Sequence, residues 1–149
     1  MDQRFDALKL GNQLCFPLYV CAKEIVKKYK PYLDEIDLTY TQYITMMAMW
    51  EHEELSVKEL GEYLFLDSGT LTPVLKTLEK KGFLSRKRSS TDERMLVVTL
   101  SESGRDLRAR AVEVPFKMQS CMSIDEKDAA DLYLILHKMM ANIDPAGKR

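Results

Sequence analysis

Apolar residues recur at helical spacing along most of the chain. Apolar side chains three, four or seven positions apart predict a first helix over residues 12 to 29, and Pro31 is expected to end it. Thr39 and Ser56 each precede a Gln or Glu by three positions, the capping-box spacing, and so predict the starts of a second and a third helix. A fourth helical pattern, TLTPVLKTLEKKG, ends at Gly82, a residue type that commonly follows the last turn.

The pattern then changes to that of a hairpin. Two segments, 83 to 88 and 95 to 100, flank a polar tip, and the second is rich in β-branched residues. Ser101 is expected to open a long helix that Pro115 kinks, and the capping-box spacing at Ser123 predicts the last helix. This order of elements predicts a mainly α fold with a small β wing, that is, a winged helix-turn-helix with helical extensions at both ends.

The chain has the size of one domain. Its 149 residues can bury a sizeable core, and no repeat or interdomain linker interrupts the pattern. We expect residues 36 to 100 to form a DNA-binding core. Residues 1 to 35 and 101 to 149 would form a helical dimerisation region, because the terminal helices carry apolar stripes beyond what a small winged core needs.

Charge is distributed unevenly along the chain. The net charge of −1 indicates no partner by itself, but the segment from Lys76 to Arg94 holds seven basic and three acidic residues. A basic segment in an otherwise acidic chain is typical of a surface that binds a polyanion. The expected partner is double-stranded DNA with a pseudo-palindromic operator, read by a homodimer whose half-sites lie about one helical turn apart.

Short hydroxyl residues occupy the start of the fourth predicted helix. The second helix of a helix-turn-helix enters the major groove with its early residues at base edges, while basic residues of a wing contact phosphates or the minor groove. The alternatives are that Asp67 and Ser68 only cap the helix and that the basic run is solvated surface. The predicted DNA contacts are Ser68, Thr70, Thr72 and Lys76 in the helix, and Arg86, Lys87, Arg88, Asp92 and Arg94 in the wing.

Several blocks of the sequence are similar to one family of regulators. STDERMLVVTLSESG, residues 90 to 104, resembles the wing signature of the MarR family. NQLCFPLYV, LTYTQY and LDSGTLTPVLKTLE more closely resemble the OhrR subfamily, the repressors of organic hydroperoxide resistance. The blocks span nearly the whole chain in order, and the resemblance implies a transcriptional repressor that binds DNA and is not an enzyme.

Cys15 is the candidate for chemistry. A cysteine among apolar residues is most often a small buried hydrophobe, whereas a reactive one needs help from a helix N-terminus or from hydrogen-bond donors. If Asn12 caps the first helix, Cys15 falls in its first turn, where free N–H groups favour a thiolate. Tyr19 and Tyr29 share its helix face and carry hydroxyls that can donate to sulfur. Cys21 lies on another side and is expected to pack.

The resemblance gives these residues roles. It implies that Cys15 is the peroxide sensor and that Tyr19, Tyr29 and Tyr40, some from the other subunit, hold its thiolate. An organic hydroperoxide would oxidise Cys15 to a sulfenic acid, the helices around it would shift, and the two wings would no longer fit the operator. Cys121 is a possible resolving cysteine, since some OhrR members trap the sulfenic acid as an intersubunit disulfide. Its alternative is a partly buried residue at a helix junction.

Two other functions stay open at this point. One is a MarR-type repressor gated by a small phenolic ligand, with Cys15 a bystander, and the other is a thiol peroxidase that uses Cys15. The enzyme gives no reason for a cationic wing beside a recognition helix. With two histidines and no close Cys/His cluster, neither a metal site nor another cofactor is predicted. The odd cysteine count, the polar start and the lack of a long apolar run predict a cytoplasmic protein with no membrane partner.

Overall fold

The computed structural model describes residues 3 to 144 and consists mainly of helices. Two short 3-10 helices, Gln3–Leu8 and Leu10–Asn12, lead into the first long helix. The elements that follow, in chain order, are α1 (Cys15–Asp34), α2 (Tyr40–His52), β1 (Glu54–Ser56), α3 (Val57–Leu64), α4 (Ser68–Lys80), β2 (Leu84–Arg88), β3 (Leu96–Leu100), α5 (Glu102–Ala111), α6 (Glu113–Gln119) and α7 (Glu126–Met140). This arrangement confirms the predicted winged helix-turn-helix with helical extensions.

The core lies where α2, α3 and α4 meet the sheet. Every third or fourth residue of α4 points inward, and Leu71, Leu75 and Leu78 are almost completely buried. They meet Met46 and Met49 of α2 in one hydrophobic cluster. Burial of a large aliphatic side chain stabilises a fold by about 1.5–3 kcal/mol, so this cluster fixes the orientation of α4.

The sheet is antiparallel, with strand order β1, β3, β2. β2 and β3 form the predicted hairpin, with Arg86 paired to Val98 and Leu84 to Leu100. The strand β1 was not predicted, because three residues directly before a capping box carry too short a pattern to detect. It pairs with β3 through Leu55 and Val98 and so ties the hairpin to the helical core.

The predicted boundaries of α1 were wrong at both ends. Asn12 does not cap the helix, and its side-chain amide instead donates to the backbone carbonyl of Asp6. A start at Cys15 places Pro17 in the first turn, where a missing N–H costs no intrahelical bond. At the other end the helix runs through Pro31 to Asp34, since the buried Leu33 anchors the last turn in the core.

The helices after the wing follow the prediction in outline. The chain breaks between α5 and α6 at Val112, and Pro115 lies in the first turn of α6 rather than inside one kinked helix. The cap of α7 was misassigned: Asp125 accepts from the N–H of Asp128, so the box predicted at Ser123 does not form. The carboxylate two residues nearer the helix captures the free N–H groups first.

Candidate DNA interface and cysteine site

The second helix of the helix-turn-helix begins at a carboxylate cap. Phe65, Leu66 and Asp67 separate α3 from α4, and Phe65 adopts a left-handed backbone at φ 54° that lets the chain reverse. The Asp67 carboxylate accepts from the Thr70 N–H at 2.8 Å and from the Thr70 hydroxyl at 3.2 Å. These bonds, the backbone one first, hold the pKa of Asp67 below its usual range. Asp67 is therefore a cap.

The predicted contacts on α4 lie on its outer side. Ser68, Thr70 and Lys76 are exposed, opposite the buried leucines. Thr72 is half-buried, and its hydroxyl donates to the carbonyl of Ser68 at 2.6 Å. An early helix surface of small hydroxyls with one lysine a turn later can approach a groove closely without an apolar obstacle. These four residues stay predictions as DNA contacts.

The wing presents basic side chains on both sides of its tip. Lys87, Arg88 and Arg94 are exposed, and Arg88 donates to the carbonyl of Glu93 at 2.8 Å. The carboxylate of Asp92, a predicted DNA contact, accepts the Arg94 backbone N–H at 2.9 Å. Asp92 therefore shapes the backbone of the tip through this bond.

Arg86 differs from the other basic residues of the wing. Its side chain is only 17% exposed and forms an ion pair with Glu79 near the end of α4, at 2.7 Å. If Arg86 also contacts DNA, as predicted, a phosphate or base must bind a guanidinium that already pairs with the Glu79 carboxylate. The sequence pattern does not predict a role for Glu79, because its single signal is an acidic residue inside a basic segment.

Replacing Arg94 with alanine is expected to weaken binding to all DNA and to lower the slope of log K against log salt by about one phosphate-equivalent. The side chain lies exposed at the wing tip, so its loss leaves the core intact. Thr70→Ala should instead reduce the preference for the operator over random DNA. Fluorescence anisotropy at several salt concentrations measures both effects, and unchanged binding in both variants would refute the helix and wing assignments.

Cys15 is the first residue of α1 and is exposed. Leu14 before it has a helical backbone and provides no side-chain cap, so the start of the helix is open. Tyr19 lies one turn further on the same side and is 62% exposed, with the ammonium of Lys23 over its ring. Among the side chains that the structure describes, none forms a hydrogen bond with the Cys15 thiol within the single chain.

Tyr29 and Tyr40 form a separate cluster with Tyr43. The rings of Tyr29 and Tyr40 lie 5.0 Å apart, and those of Tyr29 and Tyr43 lie 6.0 Å apart. Burial raises the pKa of Tyr29 and Tyr40, and with the two neighbouring hydroxyls it raises that of Tyr43 to about 12. All three therefore stay protonated donors at physiological pH. Tyr43 was missed, although its spacing of three from Tyr40 could have indicated it.

One chain does not bring this cluster to Cys15. Tyr29 follows Cys15 by fourteen residues on the same helix, which separates them by roughly 21 Å along the axis. Tyr19 alone of the three predicted tyrosines is a neighbour of the cysteine within the chain. If Tyr29 and Tyr40 contact the sulfur, they must come from a second subunit.

The other two cysteines differ in their surroundings. Cys21 was expected to pack, yet it is exposed in the single chain. Cys121 is partly buried after α6, with its sulfur 3.1 Å from the Tyr32 hydroxyl and its carbonyl bound by the Lys28 ammonium at 2.7 Å. The contact with Cys121 is the main reason that the pKa of Tyr32 is raised. Within residues 3 to 144 no three metal-ligating side chains cluster.

Sequence comparison identifies the class of protein. Residues 27–110 match the family model described as transcriptional regulator SarA/Rot. The organic hydroperoxide resistance transcriptional regulator of Bacillus subtilis is 43% identical over 143 residues, which cover 96% of this chain and 97% of the relative. The chain belongs to the MarR family of transcriptional regulators. The resemblance in the wing and in the first helix is thereby confirmed.

Two further comparisons agree with membership of the MarR family. SarZ of Staphylococcus aureus (strain USA300) is 46% identical over 141 residues, covering 94% of this chain and 95% of SarZ. The structure of reduced AbfR, a Staphylococcus epidermidis protein, bound to DNA superposes with a TM-score of 0.79 at 28% identity, over 93% of this chain and 94% of AbfR. As a member of this family, the present chain is a DNA-binding transcriptional regulator and does not belong to the thiol peroxidases. None of the helices in residues 3 to 144 is long and apolar enough to cross a membrane.

Proposed function

We propose that this protein represses transcription by binding an operator and releases it when an organic hydroperoxide oxidises Cys15. The observation that carries the proposal is the position of Cys15, exposed at the open start of α1 in a chain 43% identical to an organic hydroperoxide resistance regulator. The partial positive charge at a helix start favours an anion, and the thiolate is the form of cysteine that attacks a peroxide.

The functional unit of the proposal is a homodimer. α7 exposes a continuous apolar surface in the single chain, including Leu132, Ile135 and Met139, and no residue of this helix is buried. Near the amino end Leu14 and Phe16 are also exposed. Several exposed large apolar side chains on one helix favour a protein interface, and DNA-reading regulators of this fold pair two recognition helices. Residues 1 to 35 and 101 to 149 would supply this interface, of which residues 1 to 2 and 145 to 149 lie outside the described part of the chain. Residues 36 to 100 would supply the DNA-binding core.

Dimerisation would also complete the environment of the thiolate. Tyr19 lies one turn from Cys15, whereas Tyr29 and Tyr40 are too distant within the chain. We therefore propose that the partner subunit's Tyr29 and the partner subunit's Tyr40 donate hydrogen bonds to the Cys15 thiolate. Each stays protonated and can donate to sulfur without bringing a charge. Oxidation removes the negative charge that these hydroxyls bind, and the two subunits then lose shared contacts.

A path from α1 to the recognition helix runs through the corner after α1. The ammonium of Lys81, just past α4, lies 3.1 Å from the Asp37 carboxylate and 3.2 Å from the Gln42 side-chain oxygen, and it also binds the Asp37 carbonyl. On the other side Lys117 of α6 pairs with Glu35 at 3.0 Å. These contacts join the corner after α1 to the end of α4 and to α6. In the proposed mechanism, oxidation of Cys15 shifts α1, the shift passes through this corner, and the spacing of the two wings changes.

The remaining rival is gating by a phenolic ligand that leaves Cys15 a bystander. It predicts that a phenol releases DNA from a protein whose Cys15 is replaced, and that hydroperoxide releases nothing. The proposed sensor predicts instead that hydroperoxide releases DNA from the parent protein and that a simple phenol does not. Operator release measured with hydroperoxide and, separately, with a simple phenol distinguishes the two.

Cys121 is proposed as the resolving cysteine. AbfR has been solved bound to DNA in an overoxidised form and, separately, in a disulfide form. The hydroperoxide oxygen would transfer to Cys15 with release of an alcohol, and the partner subunit's Cys121 would then displace water to form a disulfide. The exposure of Cys15 and the partial exposure of Cys121 support access of the two sulfurs to each other.

A non-reducing gel after one equivalent of organic hydroperoxide tests this pairing. We expect a disulfide-linked dimer band in the parent and in Cys21→Ser, and its loss in both Cys15→Ser and Cys121→Ser. A band that persists in Cys121→Ser, or that never forms in the parent, would refute the resolving role and leave Cys15 as a lone sensor.

A further inference from the structure

Glu79 and Arg86 join the recognition helix to the wing by three hydrogen bonds. One oxygen of the Glu79 carboxylate accepts the Arg86 backbone N–H at 2.9 Å. The other accepts from Nε at 3.1 Å and from Nη2 at 2.7 Å. The guanidinium therefore binds through two of its nitrogens, an arrangement that fixes orientation as well as distance. The pKa of Glu79 is lowered, mainly by the hydrogen bond from the Arg86 side chain and then by that from the Arg86 backbone. The carboxylate is therefore ionised at neutral pH.

The pair joins the two elements that carry the predicted DNA contacts, the recognition helix and the wing. Glu79 is one residue from the end of α4, which carries the predicted groove contacts, and Arg86 is in the middle of β2, which leads to the wing tip. The intervening turn includes Gly82, whose φ of 79° is a left-handed conformation. Pairing with β1 holds β3 to the helical core, whereas β2 is the outer strand and the pair joins it directly to α4. Without the pair, β2 would lose this contact with α4, and the distance from α4 to Arg94 would vary.

We propose that Glu79 and Arg86 are positioning residues that set the angle between the recognition helix and the wing, and hence the affinity for the operator. The inference rests on the DNA-binding part of the proposed function and is independent of Cys15 chemistry. It also gives an acidic residue in a basic surface a purpose, since a carboxylate near phosphates is otherwise unfavourable for binding.

The sign of the effect at Glu79 separates positioning from simple electrostatics. Removing a negative charge beside DNA should tighten binding if only charge matters. If Glu79 holds the wing, its removal weakens binding despite the gain in charge. Arg86→Lys makes the complementary test, because lysine keeps the charge for a phosphate but cannot reproduce the two-nitrogen geometry.

The experiment measures operator affinity and its salt slope for reduced Glu79→Ala, Arg86→Lys, Arg86→Ala and the double variant Glu79→Ala/Arg86→Ala. We expect each single variant to bind about 10-fold more weakly, equivalent to about 1.4 kcal/mol. The double variant should bind about as weakly as Arg86→Ala alone, because either change breaks the same Glu79–Arg86 ion pair. Arg86→Lys should leave the slope of log K against log salt unchanged, whereas loss of a phosphate contact would lower it.

Matched controls remove a charge without touching the pair. Glu62→Ala removes an exposed carboxylate of α3, and Lys87→Ala removes the basic neighbour of Arg86 on β2. Glu62→Ala should bind at least as tightly as the parent, and Lys87→Ala should lower the salt slope. Circular dichroism confirms that each variant is folded before binding is measured.

The outcomes are separable. If the reduced parent itself fails to bind operator, the proposed function is refuted. If the parent binds while either Glu79→Ala or Arg86→Lys binds as tightly as the parent or more tightly, the positioning role of the pair is refuted. A lower salt slope in Arg86→Ala would then identify Arg86 as a phosphate contact.

Discussion

A Cys15→Ser variant is expected to bind the operator as the parent does and to stay bound after organic hydroperoxide is added. Serine keeps the size and hydrogen-bonding capacity of the side chain at the start of α1, so the DNA-bound arrangement is preserved. Its oxygen cannot follow the oxidation steps of sulfur. Under the same treatment the parent should fall towards its non-specific affinity, roughly 10³-fold weaker or more.

Cys21→Ser is the matched control for this result. Cys21 lies on the same helix and is also exposed, so it meets the same oxidant. The control variant should release DNA as the parent does. Release of DNA by hydroperoxide from Cys15→Ser would show that the sensor is not Cys15. Loss of release in Cys21→Ser would show that Cys15 alone does not sense the oxidant.

A Gly104→Ala variant is expected to lose about 2–3 kcal/mol of folding stability and with it the ordered wing. A Cβ at Gly104 would lie 2.1 Å from the Phe83 carbonyl oxygen and 2.8 Å from a methyl group of Leu100. That carbonyl cannot retreat freely, because it accepts the Ser101 N–H at 3.1 Å. Alanine gains about 1 kcal/mol of helix propensity over glycine, too little to offset the clash.

The consequence of the Gly104 change should be visible in thermal unfolding. A loss of this size lowers the melting temperature by about 5–10 °C in a domain of this length. Gly11→Ala is the control, since a Cβ at Gly11 meets no atom within 4 Å, and its melting temperature should stay close to that of the parent. A Gly104→Ala variant as stable as the parent would contradict the close packing of α5 on the wing.

The elements with strong local signals were predictable from the sequence. The capping boxes at Thr39 and Ser56 form with both of their hydrogen bonds, because the side chains that make them lie within one helical turn. The hairpin followed from the β-branched residues of its second segment and the polar, turn-like tip between the two segments. At Pro31 and Ser123 the prediction was wrong, because buried contacts at Leu33 and a competing cap at Asp125 decide those boundaries.

The candidate site was predictable in identity but not in geometry. Residue types and family resemblance pointed to Cys15 and to the tyrosines, yet no pattern in one dimension gives the separation of Tyr29 from Cys15 or the grouping of Tyr29, Tyr40 and Tyr43. The same limit applies to Glu79 and Gly104, whose roles depend on contacts with Arg86 in β2 and with Phe83 in the turn before β2.

Operator binding by the reduced protein, measured before and after one equivalent of organic hydroperoxide, tests the sensing function most directly. We predict tight binding before treatment, release after it, and recovery of binding when a thiol reductant restores Cys15. Binding that is unchanged by the hydroperoxide, while mass spectrometry shows Cys15 oxidised, would contradict the proposal.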